Sequence, residues 1–310
     1  MTPRLVFAGT PDFALASLQA LVKSGHRPVA VYTQPDRPAG RGKKLTASPV
    51  KVYALEQGIE VRQPRTLKDD EAAADFAALK PDLFIVAAYG LLLPQRILDI
   101  PTQGCVNVHA SVLPRWRGAA PIQAAIREGD AESGISLMAM TAGLDEGPVF
   151  VSRSTPIAND ENAGQLHDRL AVIGGELLAE HIDALSRGEL DATPQDDEQA
   201  SYAGKIATVD AVLDWSRSAA QLQRQVRAYN PVPGCYFEYE GQRIKVWDAD
   251  VVDGIDADAG HVVSADGSGV VVACGEAALR LSTLQRPGKG RVNAREFTAA
   301  LDLSGQDLGG

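Results

Sequence analysis

The chain has 310 residues, 45% of them hydrophobic and 23% charged, with a formal net charge of −10. That length suits two domains rather than one core, and that composition excludes a disordered or fibrous chain. The acidic balance excludes a protein that coats nucleic acid indiscriminately, and no run of about eighteen apolar residues offers a membrane span.

The opening, MTPRLVFAGTPDF, holds a short apolar run and no cleavage site, so it reads as a first strand rather than a secretory leader. Residues 4–9 are that strand, closed by Gly9, and 13–24 follow with apolar positions at helical spacing. Residues 29–33 read as the next strand. Behind it, between 33 and 51, Arg37, Arg41, Lys43, Lys44 and Lys51 stand against the single acid Asp36, in a chain that is acidic elsewhere. On charge alone this is a solvated basic loop. Helical patterns cover 50–57 and 69–79, and 83–88 is a continuous apolar run of the kind buried on both faces of a parallel sheet. Residues 104–109 and 134–140 are further strands, with a helix over 119–128 between them and a long helix over 163–186.

Strands joined by helices predict an α/β fold, a doubly wound, Rossmann-like parallel sheet with right-handed crossovers. After the first strand the chain reads Gly9-Thr10-Pro11-Asp12-Phe13, which is neither a dinucleotide fingerprint nor a P-loop. Gly9 then serves the tight strand-to-helix turn. Ligands are still expected beyond the carboxyl ends of the strands, where Asn107, His109 and the loop carrying Asp145 fall. Near Gly188 the pattern changes. The stretch from 189 is polar and acidic, a helix covers 218–228, and short strand-like runs follow at 234–240, 243–248, 261–264, 270–273 and 278–284. These predict a small C-terminal β-barrel of OB type. The expected division is a catalytic domain over 1–188, a linker over 189–207 and the barrel over 208–310. Cys105, Cys235 and Cys274 form no C-x-x-C pair and read as small buried hydrophobes of a reducing cytoplasm.

The chemistry concentrates in residues 104–123, GCVNVHASVLPRWRGAAPIQ. Period two along the strand places Asn107 and His109 on one face. A glycine-bounded loop, GLDEG at 143–147, presents Asp145. An amide, an imidazole and a carboxylate brought together can serve acyl chemistry. Singly each has a plainer use: a turn cap, a satisfied core imidazole, a turn residue. His26, His167, His181 and His261 show no ligand spacing with His109, so no metal site is expected.

Residues 7–13 (FAGTPDF), 33–44 (TQPDRPAGRGKK), 87–94 (AAYGLLLP), 107–123 and 143–147 closely resemble the folate-dependent formyltransferase family. The resemblance continues through Asp214-Trp215, 227–231 (RAYNP) and 244–247 (IKVW). The basic loop and the second domain narrow it to the branch that acts on methionyl-tRNA, with some overlap from amino-sugar formyltransferases. The resemblance implies transfer of the formyl group of 10-formyltetrahydrofolate to the α-amine of methionyl-initiator tRNA, by a cytoplasmic monomer and without a metal. It implies catalytic roles for Asn107, His109 and Asp145, and folate contacts from Ser111, Val112, Leu113 and Pro114, with Val112 where relatives usually carry leucine. It implies acceptor-stem contacts from Arg41, Lys43 and Lys44. Asn107 and protonated His109 are expected to donate to the developing oxyanion. Asp145 is expected to hold His109 charged and to accept the amine proton through water. A formyltransferase for a sugar nucleotide or glycinamide ribonucleotide, or a hydrolase releasing formate, would share the three residues without needing the basic loop. A catalytically silent tRNA-binding relative would not need the three residues.

Overall fold

The structure, a computed structural model, describes residues 3–39, 42 and 44–309. Its chain divides into two units: Met1–Pro121, Glu132–Thr155 and His167–Ala203 form the first, and Ile122–Ala131, Pro156–Leu166 and Gly204–Gly310 the second. In chain order the elements begin with β1 (Leu5–Gly9), α1 (Asp12–Lys23), β2 (Ala30–Tyr32), β3 (Arg37–Ala39), β4 (Lys44–Thr46), α2 (Pro49–Glu56), β5 (Glu60–Arg62) and α3 (Asp70–Ala78). They continue with β6 (Leu83–Ala87), α4 (Gln95–Leu98), β7 (Cys105–His109), β8 (Arg117–Gly118), α5 (Pro121–Glu128), β9 (Glu132–Ala139), β10 (Val149–Pro156), α6 (Ala163–Arg187) and β11 (Tyr202–Ala203).

Seven strands make the main sheet of the first unit, in the order β10-β9-β7-β6-β1-β2-β5. From β5 to β7 every neighbour is parallel. Successive strands run outward from β1 to one side through β2 and β5, and to the other through β6 and β7. The expected doubly wound sheet is therefore present, but it is mixed rather than wholly parallel. β9 lies antiparallel to β7, with Val106 opposite Ala139 and His109 opposite Ser136. A parallel continuation needs a crossover back to the far end of the sheet; residues 110–131 instead re-enter at the end where β7 finishes.

The continuous apolar runs account for the burial of β1 and β6 along their whole length. On one face Val6, Ala8, Ala30, Tyr32, Phe84, Val86 and Cys105 pack with Phe76 of α3 and Ile97 and Leu98 of α4. Phe76 meets Tyr32 edge-on at 5.6 Å and Phe84 at 4.7 Å between centroids. On the opposite face Gly174 of α6 approaches Val108 so closely that a Cβ there would lie 3.0 Å from its methyl. Gly9 is fixed by contact as well as by the turn: a Cβ would lie 2.4 Å from that of Ala14 and 2.9 Å from the Ala87 carbonyl oxygen. Burial, with a smaller contribution from Asp99, pushes the Cys105 thiol up to about 12, so it is an inert core residue.

The second unit carries α7 (Ala219–Ala228), β12 (Cys235–Tyr239), β13 (Gln242–Val252), β14 (Val262–Asp266), β15 (Gly269–Ala273), β16 (Ala278–Gln285), β17 (Val292–Asn293) and α8 (Ala294–Ala300). The sheet runs β12-β13-β16-β15-β14, with β17 added to β16. All its pairs are antiparallel. Register shifts near Val246 and Asp248 and near Val262 and Ser264 mark bulges, which bend strands as a small barrel requires. Among the described residues no pairing joins β14 to β12, so the OB-type domain is an open sheet and not a closed barrel. Ser218 caps α7 in a reciprocal box with Gln221, and Leu222 and Val226 of that helix are buried. No helix of the described residues is long and apolar enough to cross a membrane.

Candidate active site

Along β7 one face reads Cys105, Asn107, His109. The first belongs to the apolar cluster beneath α4; the next two are polar. Asn107 is half-buried and His109 is buried. Beyond β7 the chain makes a tight turn whose polar groups are used internally. The Ser111 hydroxyl donates to the Arg115 carbonyl at 2.6 Å. Ser136 of β9 accepts from the Leu113 N–H at 3.1 Å and donates to the Ser111 carbonyl at 2.8 Å. Ser111 and Leu113 are buried, while Val112 and Pro114 are half-buried. The stretch proposed for folate contact is thus a rigid turn beside the imidazole, and its partly open side chains are Val112 and Pro114.

At the end of the turn Trp116 adopts φ 62°, which aims its carbonyl at His109 Nε2 across 3.0 Å. A carbonyl accepts only, so Nε2 carries a proton, and Nδ1 is the nitrogen left to work. Nδ1 faces Asp145 Oδ2 at 3.7 Å. In a neutral ring Nδ1 can only accept; it donates when the ring is an imidazolium. The expectation of a protonated His109 acting as donor therefore narrows to one atom.

Asp145 arrives by a path that period and spacing do not reveal. β9 ends beside the start of β7, where the Met140 N–H donates to the Cys105 carbonyl at 2.9 Å. The segment from 141 to 147 then doubles back along β7. Asp145 is not a residue of the carboxyl rim, as its place among strand ends suggested, but reaches the rim by this return. Its Oδ2 accepts the Gly118 N–H at 2.8 Å and its Oδ1 faces the Asn107 amide nitrogen at 3.4 Å. The backbone at Asp145 is left-handed, φ 52°, a conformation Asp and Asn tolerate better than most residues. Gly147 closes the loop against β9, where a Cβ would sit 1.9 Å from the Ala139 carbonyl oxygen. Asn107, His109 and Asp145 are therefore brought together, with the carboxylate as the common partner.

Sequence reasoning missed the residues that hold this arrangement. Gln195 donates from Nε2 to the carbonyls of Asp145 and Gly147, at 2.8 and 2.6 Å. Arg117, whose side chain is 2% exposed, holds the Gln195 carbonyl oxygen through Nε at 3.0 Å and Asp197 at 2.7 Å. Burial works to lower the Arg117 guanidinium, and its bonds to Asp197 and Tyr202 more than offset this, holding it above the usual arginine range. The one available signal was the arginine adjoining Gly118 in the motif stretch; the glutamine sits in a polar, acidic segment that reads as a connection.

Of the basic loop, Arg41 and Lys43 lie outside the described residues. Lys44 is exposed in β4, paired with Ala39 of β3, and is not near the three site residues in any described contact. The root of the hairpin is anchored: Lys51 Nζ reaches Asp36 at 2.7 Å, and Gln63 Nε2 holds Asp36 at 2.9 Å and the Gln34 carbonyl at 2.8 Å. These bonds, Lys51 first, hold the Asp36 carboxyl below the usual range. Among the described residues no group of three His, Cys, Asp or Glu could hold a metal ion.

A doubly wound sheet carrying an amide, an imidazole and a carboxylate, with an antiparallel sheet in the second unit, makes this a two-unit α/β protein with a site suited to acyl chemistry. Residues 3–182 match the Formyl transferase family and residues 205–301 match the Formyl transferase C-terminal domain. The chain belongs to this family. It is 54% identical to the methionyl-tRNA formyltransferase of Ectopseudomonas mendocina over 92% of this chain and 90% of that one. It is 50% identical to that of Marinobacter nauticus over 92% of each. In fold it resembles WlaRD, a sugar 3N-formyl transferase solved with dTDP and 5-N-formyl-THF, at a TM-score of 0.67 and 16% identity, over 94% of this chain and 100% of that one. It also resembles HypX from Aquifex aeolicus, solved with tetrahydrofolic acid, at a TM-score of 0.65 and 16% identity over 99% of this chain. The chain spans about half the length of HypX, 49%.

Proposed function

We infer that this chain transfers the formyl group of 10-formyltetrahydrofolate to the α-amino group of methionyl-initiator tRNA. The identity to methionyl-tRNA formyltransferases over nine-tenths of the chain supports the reaction. The observation that carries the chemistry is the meeting of Asn107 and His109 on one carboxylate, 3.4 Å from Asp145 Oδ1 and 3.7 Å from its Oδ2 respectively.

The folate supplies the formyl carbon; the amine attacks it, and its bond to the folate nitrogen then breaks as that nitrogen takes a proton. Asn107 donates one amide hydrogen to the developing oxyanion while Asp145 orients the other. His109 Nδ1–H is the second donor, with Nε2 fixed by Trp116. Two aimed donors of this kind are worth about 3–4 kcal/mol each in a preorganised site. Asp145 accepts the amine proton through water. The turn Ser111-Val112-Leu113-Pro114 positions the folate beside these donors. The donor set fits that substrate, because Asn107 is half-buried and its amide nitrogen carries two hydrogens, of which the described bond to Asp145 uses one.

Arg41, Lys43 and Lys44 contact the acceptor stem. They use phosphates and stem shape, since side chains do not read an A-form major groove. Arg41→Ala is expected to lower transfer about thirtyfold, the loss of one charge-assisted contact of about 2 kcal/mol. Folate affinity should stay unchanged; equal losses in both measurements would overturn the assignment. On the same reading the enzyme works as a monomer in the cytoplasm, where charged tRNA resides and where the buried free thiols of Cys105, Cys235 and Cys274 stay reduced.

The test is incubation with 10-formyltetrahydrofolate and separately charged initiator and elongator methionyl-tRNAs. Formylmethionine is expected on the initiator. Its absence there, with formyl product on a dTDP-amino sugar, would replace this reading with the sugar one.

A further inference from the structure

We propose that Gln195 is a positioning residue for the transfer reaction: it fixes Asp145 by clamping the backbone of the loop that carries it. The inference rests on the catalytic role given to Asp145 above.

Three features of the first unit point to this. The loop from 141 to 147 has few ties of its own: Gly143, Leu144 and Asp145 are exposed or half-buried, and Leu144 is 62% exposed. Its backbone is nonetheless held in the left-handed region at Asp145, which needs external restraint. Beside the Gly118 and Asn107 bonds to the Asp145 side chain, the backbone of the loop is held by a side-chain amide, whose two hydrogens go to the carbonyls on either side of Glu146. The orientation of that amide is itself determined. Arg117 Nε occupies Gln195 Oε1, and a guanidinium can only donate, so the NH₂ must face the loop.

The clamp is anchored as a strap. Thr193 and Val149 exchange two backbone hydrogen bonds at 2.8 and 2.9 Å. Further on, β11 pairs with β8, Tyr202 against Arg117 and Ala203 against Gly118, and the Ser201 hydroxyl accepts the Trp116 N–H at 3.0 Å. The same strap thus touches both supports of the site. It holds the Asp145 carbonyl through Gln195, and it holds the backbone of Trp116, whose carbonyl orients His109, through Ser201. Gly118 donates its N–H to Asp145 from within β8.

The discriminating variant is Gln195→Glu. It keeps the side chain's size and its bond to Arg117, but a carboxylate has no hydrogen for the two carbonyls. Formyl transfer is expected to fall on the order of thirtyfold in kcat, below the hundredfold that a misplacement of about 1 Å can cost, with KM for both substrates within about threefold of the parent. The ¹⁵N signals of the His109 ring are expected to move, as the carboxylate leaves Nδ1. In an Asp145→Asn background the same change is expected to cost less than about threefold, because two residues acting through one group do not add. An undiminished thirtyfold loss in that background, or a Gln195→Glu enzyme with parental kcat and unmoved His109 signals, would overturn the proposal. Gln195→Met, which removes both sets of bonds, is the second variant: kcat below that of Gln195→Glu supports the clamp, and parental kcat sinks it. Absence of formyl transfer by the parent is a separate outcome, and it counts against the function rather than the clamp.

Discussion

Asp145→Asn is expected to lower formyl transfer to charged tRNA on the order of a thousandfold, with KM for the formyl donor changed by less than about threefold; orienting carboxylates in acyl-transfer sites have carried losses of up to about 10⁴. Asparagine is the informative replacement. It keeps the volume, it tolerates the left-handed backbone, φ 52°, and its carbonyl oxygen can still accept the Gly118 N–H now held at 2.8 Å. What it loses is charge. It cannot pair with an imidazolium at His109 Nδ1, 3.7 Å away, and it cannot take the amine proton.

Asp145→Ala removes more than chemistry. The half-buried Gly118 N–H loses its acceptor, at about 1 kcal/mol, the low end for a donor left unpaired, and an alanine in the left-handed region costs about 1–2 kcal/mol. Activity and stability should therefore separate. The alanine variant is expected to melt lower than the parent, the asparagine variant close to it, and both to be equally inactive. Binding of charged tRNA should be unaffected in either. Transfer within tenfold of the parent in the asparagine variant would rule out a charged Asp145 as the centre of the mechanism.

Much of this site is legible in the amino-acid sequence. The run Cys-Val-Asn-Val-His alternates strictly, so Asn107 and His109 had to share a face, and the apolar runs of β1 and β6 could only be buried strands. Legibility ended where non-local pairing took over. That Asp145 reaches Asn107 depends on β9 running antiparallel to β7 and on the chain doubling back after Met140, which no local period encodes. Gln195 and Asp197 sit among acids and small polar residues, a composition that signals solvent exposure; their use by Arg117 is decided by a buried guanidinium that needs partners. β10 was missed because it is half-exposed along its length, so its apolar alternation is too shallow to stand out, and β5 because three residues carry no period at all. In the second unit the strands were readable and closure was not, since closure depends on how bulged strands meet and not on what they contain.

Asn107→Ala is expected to lower kcat by about 10²–10³, the cost of one oxyanion donor at about 2.7–4 kcal/mol, and to leave KM for the folate within about threefold. The reasoning turns on which hydrogen does what. The amide nitrogen of Asn107 faces Asp145 Oδ1 at 3.4 Å, so the carboxylate decides which end of the amide points toward the site. One N–H is spent there and the second is free for an oxygen that becomes a strong acceptor only as the tetrahedral state forms. An interaction made only then lowers the barrier without tightening the ground state, so its loss belongs in kcat. Asn107→Asp sharpens the test. It places a second carboxylate against Asp145 and offers an acceptor where a donor is needed, so it should be at least as inactive as alanine despite its isosteric shape. Serine offers a shorter donor and should recover part of the loss. If Asn107→Asp instead matched the parent, hydrogen-bond donation from this position would have no part in the transfer, and stabilisation of the oxyanion would fall to His109 Nδ1 alone.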